Sequence, residues 1–147
     1  VPEYRWYNGE SIHMLTGDKL NPSGPSAITE PMGSRMDPNS KLHPFKVHTG
    51  KQIADSEHEY LLPTHLFGGY WKHYDWEKAV TTGAEAYGLD YSGSHYFAET
   101  VMYWKVNHMV APKESSLGCG DCHTGGDDSR LNWKALGYSR GDPMMNQ

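Results

Sequence analysis

Apolar residues are scarce in this chain of 147 residues. They make up 37% of it, below the usual 45–50%, and the mean hydropathy is −0.74. No stretch approaches the roughly 20 apolar residues that a membrane span needs. The longest apolar-rich stretch, 96–110, is interrupted by Glu99, Lys105, Asn107 and His108. Lys/Arg clusters are absent and the formal net charge is −5, with a pI of about 6.0. That balance excludes a nucleic-acid or anionic-membrane surface. Internal repeats and low-complexity tracts are absent. So are the phosphate-cradling loop G-x-x-x-x-G-K-[ST], the hydrolase elbow G-x-S-x-G and the zinc helix H-E-x-x-H. There is no signal peptide, and Val1 stands where a Met would open an unprocessed chain. The expectation is a processed or truncated product.

The surpluses are as informative. Sixteen glycines and nine prolines punctuate the chain, while five Trp and ten Tyr weigh against disorder. Nine histidines stand beside only two cysteines. An ordered, loop-rich chain with little aliphatic filler is expected to fold around a cofactor, a metal or a partner.

One domain spanning 1–147 is expected, a loop-rich wrap over 1–70 followed by a helical part over 71–147 carrying the chemistry. Turn residues such as Asn8-Gly9, Asn21-Pro22-Ser23-Gly24-Pro25 and Asp37-Pro38-Asn39-Ser40 leave no alternation long enough for a sheet. Asp75 predicts a capped helix over 76–87, closed by Gly88. Phe97, Val101, Trp104 and His108 share a helical spacing, which predicts a second helix over 96–109 stopped by Pro112. A third, short helix is expected over 129–136, ending at Gly137. The fold class expected is therefore mainly α with extensive irregular loops, a loop-rich N-terminal half and a helical C-terminal half.

Both cysteines fall in Cys119-Gly120-Asp121-Cys122-His123. This is C-x-x-C-H, the attachment signature of c-type haem. Two thiols three positions apart can each add to one vinyl group of the same porphyrin. The next residue then offers a neutral imidazole to the iron. The rival readings are a thioredoxin-like redox pair, a structural disulfide, half of a zinc site, or chance. The first needs a βαβ setting, and zinc needs two further ligands at suitable spacing. The histidine surplus favours haem. Covalent haem is attached outside the cytoplasm, so a periplasmic or extracellular location follows.

His123 leaves one iron position open. His108, on the apolar face of the second expected helix, is the leading distal candidate. His48 lies in a turn-like segment, Phe45-Lys46-Val47-His48-Thr49-Gly50, and His13 and His65 also have apolar neighbours. His58 beside two glutamates and His73 beside Lys72 read as solvated surface. One haem needs at most one distal histidine. Further ligating histidines would serve irons held by another chain or another part of this one. Gly125-Gly126-Asp127-Asp128 reads as a solvated loop rather than a calcium site.

The flanks of the motif narrow the family. Asn107-His108-Met109-Val110-Ala111-Pro112-Lys113 precedes it. Arg130-Leu131-Asn132-Trp133-Lys134-Ala135-Leu136-Gly137-Tyr138 and Gly141-Asp142-Pro143-Met144 follow. With Tyr4-Arg5-Trp6-Tyr7-Asn8-Gly9, Pro44-Phe45-Lys46, His48-Thr49-Gly50-Lys51-Gln52 and Tyr91-Ser92-Gly93, this resembles the C-terminal part of the octahaem c-type cytochromes of the tetrathionate reductase family. That group is related to hydroxylamine oxidoreductase and cytochrome c nitrite reductase. The resemblance implies distal-ligand roles for His108 and His48; no family histidine matches His13 or His65. It implies a haem-rich partner, either a cytochrome subunit or the remainder of the same protein, together with redox partner proteins. The family has eight attachment motifs and this chain has one. The family's substrate-binding haem, with lysine on its iron, belongs to the portion not represented here, and the resemblance assigns no lysine of this chain to that role. The function expected is electron transfer within a multihaem assembly, with one covalent haem c on this chain and distal histidines lent to neighbouring irons. The alternative is the catalytic portion of an octahaem enzyme acting on tetrathionate, nitrite or hydroxylamine.

Overall fold

Aromatic and β-branched residues concentrate at 3–7 and 95–105, and such side chains fit a pleated, half-buried surface better than a helix. In a computed structural model, which describes residues 2–107, 111–125 and 129–145, the chain runs through strands β1 (Glu3–Tyr7), β2 (Ser11–His13), β3 (Ser26–Pro31) and β4 (Lys41–Asp55). A single helical turn, α1 (Trp71–His73), leads to helix α2 (Trp76–Tyr87). Strand β5 (His95–Lys105), a 3₁₀ turn (Lys113–Ser115) and the four-residue helix α3 (Cys119–Cys122) complete the order. The strands form one sheet in the order β1-β4-β5-β3-β2.

The fold is thus mainly β, not mainly α as the sequence suggests, and three of the expected elements change. The first 70 residues hold four strands rather than an irregular wrap. β4 is 15 residues long despite Pro44, which normally argues against a central strand. The Pro44 carbonyl accepts from the Val106 N–H at 3.1 Å, just past the end of β5. The missing N–H on that same side therefore falls where the ladder has already ended. The expected helix over 96–109 is β5 over its first ten residues. Ala98 and Thr100 are buried at a spacing of two, while Phe97 and Trp104 of the supposed helical face are 45% and 57% exposed. The expected helix over 129–136 is a series of turns. There the Asn132 side chain accepts from the Ala135 N–H at 3.1 Å, competing with helical pairing, and Gly137 closes the turn at φ +90°.

Helix α2 agrees with expectation at both ends. Asp75 Oδ1 accepts from the Lys78 N–H at 3.2 Å, and Gly88 adopts the left-handed conformation at φ +66° that a helix stop favours. Ala79, Val80, Gly83 and Ala84 form its buried stripe.

The chain divides into two compact units. One comprises 1–12, 29–48 and 103–147; the other comprises 13–28 and 49–102. Within the second, Ile53, Tyr60, Leu62, Val80 and Ala84 make one buried cluster, with Trp76, Leu89 and Tyr91 packed on it. Leu20, Ala54 and Ala98 make another. Within the first, β1 pairs antiparallel with β4, Tyr4 opposite Pro44 and Trp6 opposite Leu42. Leu131, Trp133 and Leu136 form its buried cluster, against Tyr4, Trp6, Leu42, Cys122 and Tyr138. Phe45, 1% exposed, meets the rings of Tyr7 and Tyr103 edge-on. Among the described residues no helix is long and apolar enough to cross a membrane.

Candidate haem-attachment site

The cysteine motif folds as one helical turn. The Gly118 N–H donates to Asp121 Oδ2 at 2.7 Å, so the aspartate inside the motif caps the turn that carries both thiols. The His123 N–H closes onto the Cys119 carbonyl at 3.0 Å. Cys119 is exposed, Cys122 is partly covered, and neither thiol is in a disulfide. Cys119 precedes His123 by one helical turn, so the segment presents two thiols and an imidazole together. No strand leads directly into α3, unlike the thioredoxin-like setting.

The segment after the motif returns to hold it. Trp133, 8% exposed, stacks on the His123 ring with centroids 4.9 Å apart and planes 23° apart. Its indole N–H donates to the Cys122 carbonyl at 3.2 Å, and the Ser129 hydroxyl donates to the same oxygen at 3.1 Å. Trp133 is itself held edge-on by Tyr138, whose ring lies under the Arg35 guanidinium. The Trp6 indole N–H donates to the Leu136 carbonyl at 2.9 Å, tying β1 to this loop.

His123 Nδ1 lies 2.8 Å from Asp142 Oδ1. Asp142 is 3% exposed, and the same oxygen accepts from the Met144 N–H at 2.9 Å. Burial alone would raise this carboxyl. The hydrogen bonds from His123, Met144 and Met145 and the charge His123 can carry outweigh it, and the carboxyl sits below its ordinary value. With Nδ1 engaged, Nε2 is the ring nitrogen left to bind a metal. The donor set suits haem c: two free thiols on one turn, followed by an imidazole whose ring plane and tautomer are both constrained.

The other histidines are spread over the chain. His48 in β4 and His13 in β2 are exposed, as is His65. His108, the leading distal candidate, lies outside the described residues, as do Gly126, Asp127 and Asp128. His58 and His73 are partly covered rather than simply solvated. His58 stacks on Tyr60 at 5.3 Å, and His73 Nδ1 accepts from the Asp75 N–H at 3.1 Å. Among the described residues, no three His, Cys, Asp or Glu side chains gather as a metal site. Sequence reasoning did not single out Trp133 or Asp142 for a role, although both stand in the flanks that carry the family resemblance. Neither a tryptophan ten residues past the motif nor an aspartate 19 past it makes a pattern that spacing alone can read.

A family model described as bacterial cytochrome c matches residues 1–126. The chain belongs to that family of c-type cytochromes. It is also similar to a solved structure, the octaheme cytochrome c from Shewanella oneidensis, at 46% identity and a TM-score of 0.88. That match covers 99% of this chain and 34% of the octaheme chain, so the present sequence spans about a third of that protein's length. No curated protein matches the chain significantly. The family and the octahaem relationship identify the cofactor as covalently bound haem c.

Proposed function

We propose that this chain carries one haem c, joined by thioethers to Cys119 and Cys122 with His123 as proximal ligand, and passes electrons to and from neighbouring haems. The observation that carries this reading is the single helical turn of Cys119–Cys122 with His123 held behind it by Trp133 and Asp142. When bound, the haem supplies a one-electron Fe(III)/Fe(II) couple. The chain's own residues orient it, shield its proximal side and bias its potential.

His108 is assigned as distal ligand of a bis-histidine, low-spin iron. His48 and His13, exposed on their strands, are assigned to irons held elsewhere. Those haems belong to the remainder of a longer chain or to a haem-rich subunit, in a periplasmic or extracellular assembly with redox partner proteins. Exposed aromatic residues close together in the chain support such docking: Phe67 is 87% exposed, Trp71 56% and Tyr74 71%.

Intact mass and a haem-stained denaturing gel of native material test the attachment. One covalent haem on a 16.6 kDa chain is expected if the chain is separate, and about eight on a much longer band if it is part of an octahaem protein. No covalent haem would overturn the reading. The variant His108→Ala tests the distal ligand. One iron is expected to change from six-coordinate low-spin to five-coordinate or water-ligated, and an unchanged visible spectrum refutes the assignment.

The similarity to an octaheme cytochrome at 46% identity favours one second reading. In it the assembly is an oxidoreductase acting on tetrathionate, nitrite or hydroxylamine. A high-spin signal altered by adding nitrite to the intact assembly would support it; an all-low-spin, unresponsive spectrum would refute it.

A further inference from the structure

We propose that Asp142 is a positioning residue for the proximal ligand, holding His123 in the Nδ1–H tautomer and lowering the potential of the haem it serves. The inference rests on His123 being that ligand and goes beyond it, because it assigns control of the potential to a residue outside the motif.

A neutral imidazole has one N–H. Asp142 Oδ1, 2.8 Å from Nδ1, puts that proton on Nδ1, and Nε2 keeps the lone pair an iron requires. The carboxylate cannot easily swing away. It is 3% exposed, and the Met144 N–H fixes the same oxygen at 2.9 Å. The ring cannot easily turn either, because Trp133 covers one face and is itself anchored through its indole N–H to the Cys122 carbonyl. Ligand, tautomer and ring plane are therefore set before any iron is bound.

The electronic consequence follows. A hydrogen bond from Nδ1–H to a buried carboxylate draws the proton toward oxygen and makes Nε2 a stronger donor. A stronger donor stabilises Fe(III) over Fe(II). The anion itself, in a site of low polarity, acts in the same direction. Removing the charge while keeping the shape should raise the midpoint potential.

The test is Asp142→Asn in the haem-loaded protein, titrated spectroelectrochemically beside the wild type. The asparagine carbonyl can still accept from Nδ1–H but carries no charge. An upward shift of about 59 mV, a tenfold change in the ferrous-to-ferric ratio at a fixed potential for one electron, is the expected scale. An unchanged or lowered potential, with the haem still attached and low-spin, overturns the proposal and leaves the attachment reading intact. If the wild type carries no covalent haem, the attachment reading itself fails. Should the asparagine variant not mature, the wild type still decides. Proton NMR should find the His123 Nδ1–H strongly protected from solvent exchange, and rapid exchange refutes the assignment.

Discussion

Asp55 has no exposed surface, yet its carboxylate is saturated with donors. Oδ1 accepts from the N–H groups of Glu57 and His58 at 2.9 and 2.8 Å, and Oδ2 from the Ser92 N–H at 2.7 Å. Burial raises this carboxyl, but the bonds from His58, Ser92 and Glu57 outweigh it and hold it below its ordinary value. A carboxyl lowered on folding contributes stability that is fully present above the unfolded value. That contribution is lost as pH falls through the folded one. Asp55→Ala, which strands three backbone donors, is expected to cost about 2–4 kcal/mol. Urea unfolding followed by circular dichroism measures it. The wild type should lose its advantage over the variant as the pH drops below about 4, and a constant gap across that range would contradict the role given to the charge. Phe45, edge-on to two tyrosines and 1% exposed, is the corresponding apolar case. Phe45→Ala should cost about 3–5 kcal/mol by the same measurement.

Helix α2 shows how an element is held. Its capping aspartate is worth about 1 kcal/mol, and Asp75→Ala should lower the unfolding midpoint modestly. Gly83 is more demanding. A Cβ built there would fall well inside contact distance of the Pro63 carbonyl oxygen, so backbone meets backbone with no flexible side chain to give way. Gly83→Ala improves helix propensity by up to about 1 kcal/mol, yet it should destabilise by about 1–3 kcal/mol through overpacking. Thermal unfolding decides the sign, and a stabilised variant would disprove this close packing. The loop over 129–138 behaves as an element without regular structure. Trp133 links it to α3 through a stacked ring and one hydrogen bond. Trp133→Phe keeps an aromatic face but loses the bond to Cys122, and should raise solvent exchange of the His123 ring proton without preventing haem attachment.

Among the described residues there are three small buried clusters, while many large apolar side chains stand in solvent. Such a chain relies on bound surface for stability, because area removed from water by a haem or a partner stabilises only the folded state. A Cys119→Ala/Cys122→Ala chain, unable to form either thioether, should keep α2 and its cluster protected in hydrogen exchange. Protection should fall over 119–125 and 129–138. Equal protection with and without haem in those segments would show that the cofactor adds nothing to the fold.

Local chemistry was legible from the residues alone. The C-x-x-C-H spacing, the asparagine- and glycine-bounded turns, and the Asp75 and Gly88 ends of α2 all depend on neighbours a few positions apart. The family resemblance, drawn from short motifs, agrees with the octaheme cytochrome match over 99% of the chain. What required the tertiary structure was every partnership between distant residues. Phe97, Val101 and Trp104 fit a helical spacing, but the same stretch buries Ala98 and Thr100 at a period of two once it has strands beside it. A 15-residue strand through Pro44 becomes possible only where a neighbouring ladder has already ended. Asp142 reaches His123 across 19 positions, a closeness created by the folded loop and by no pattern in the chain.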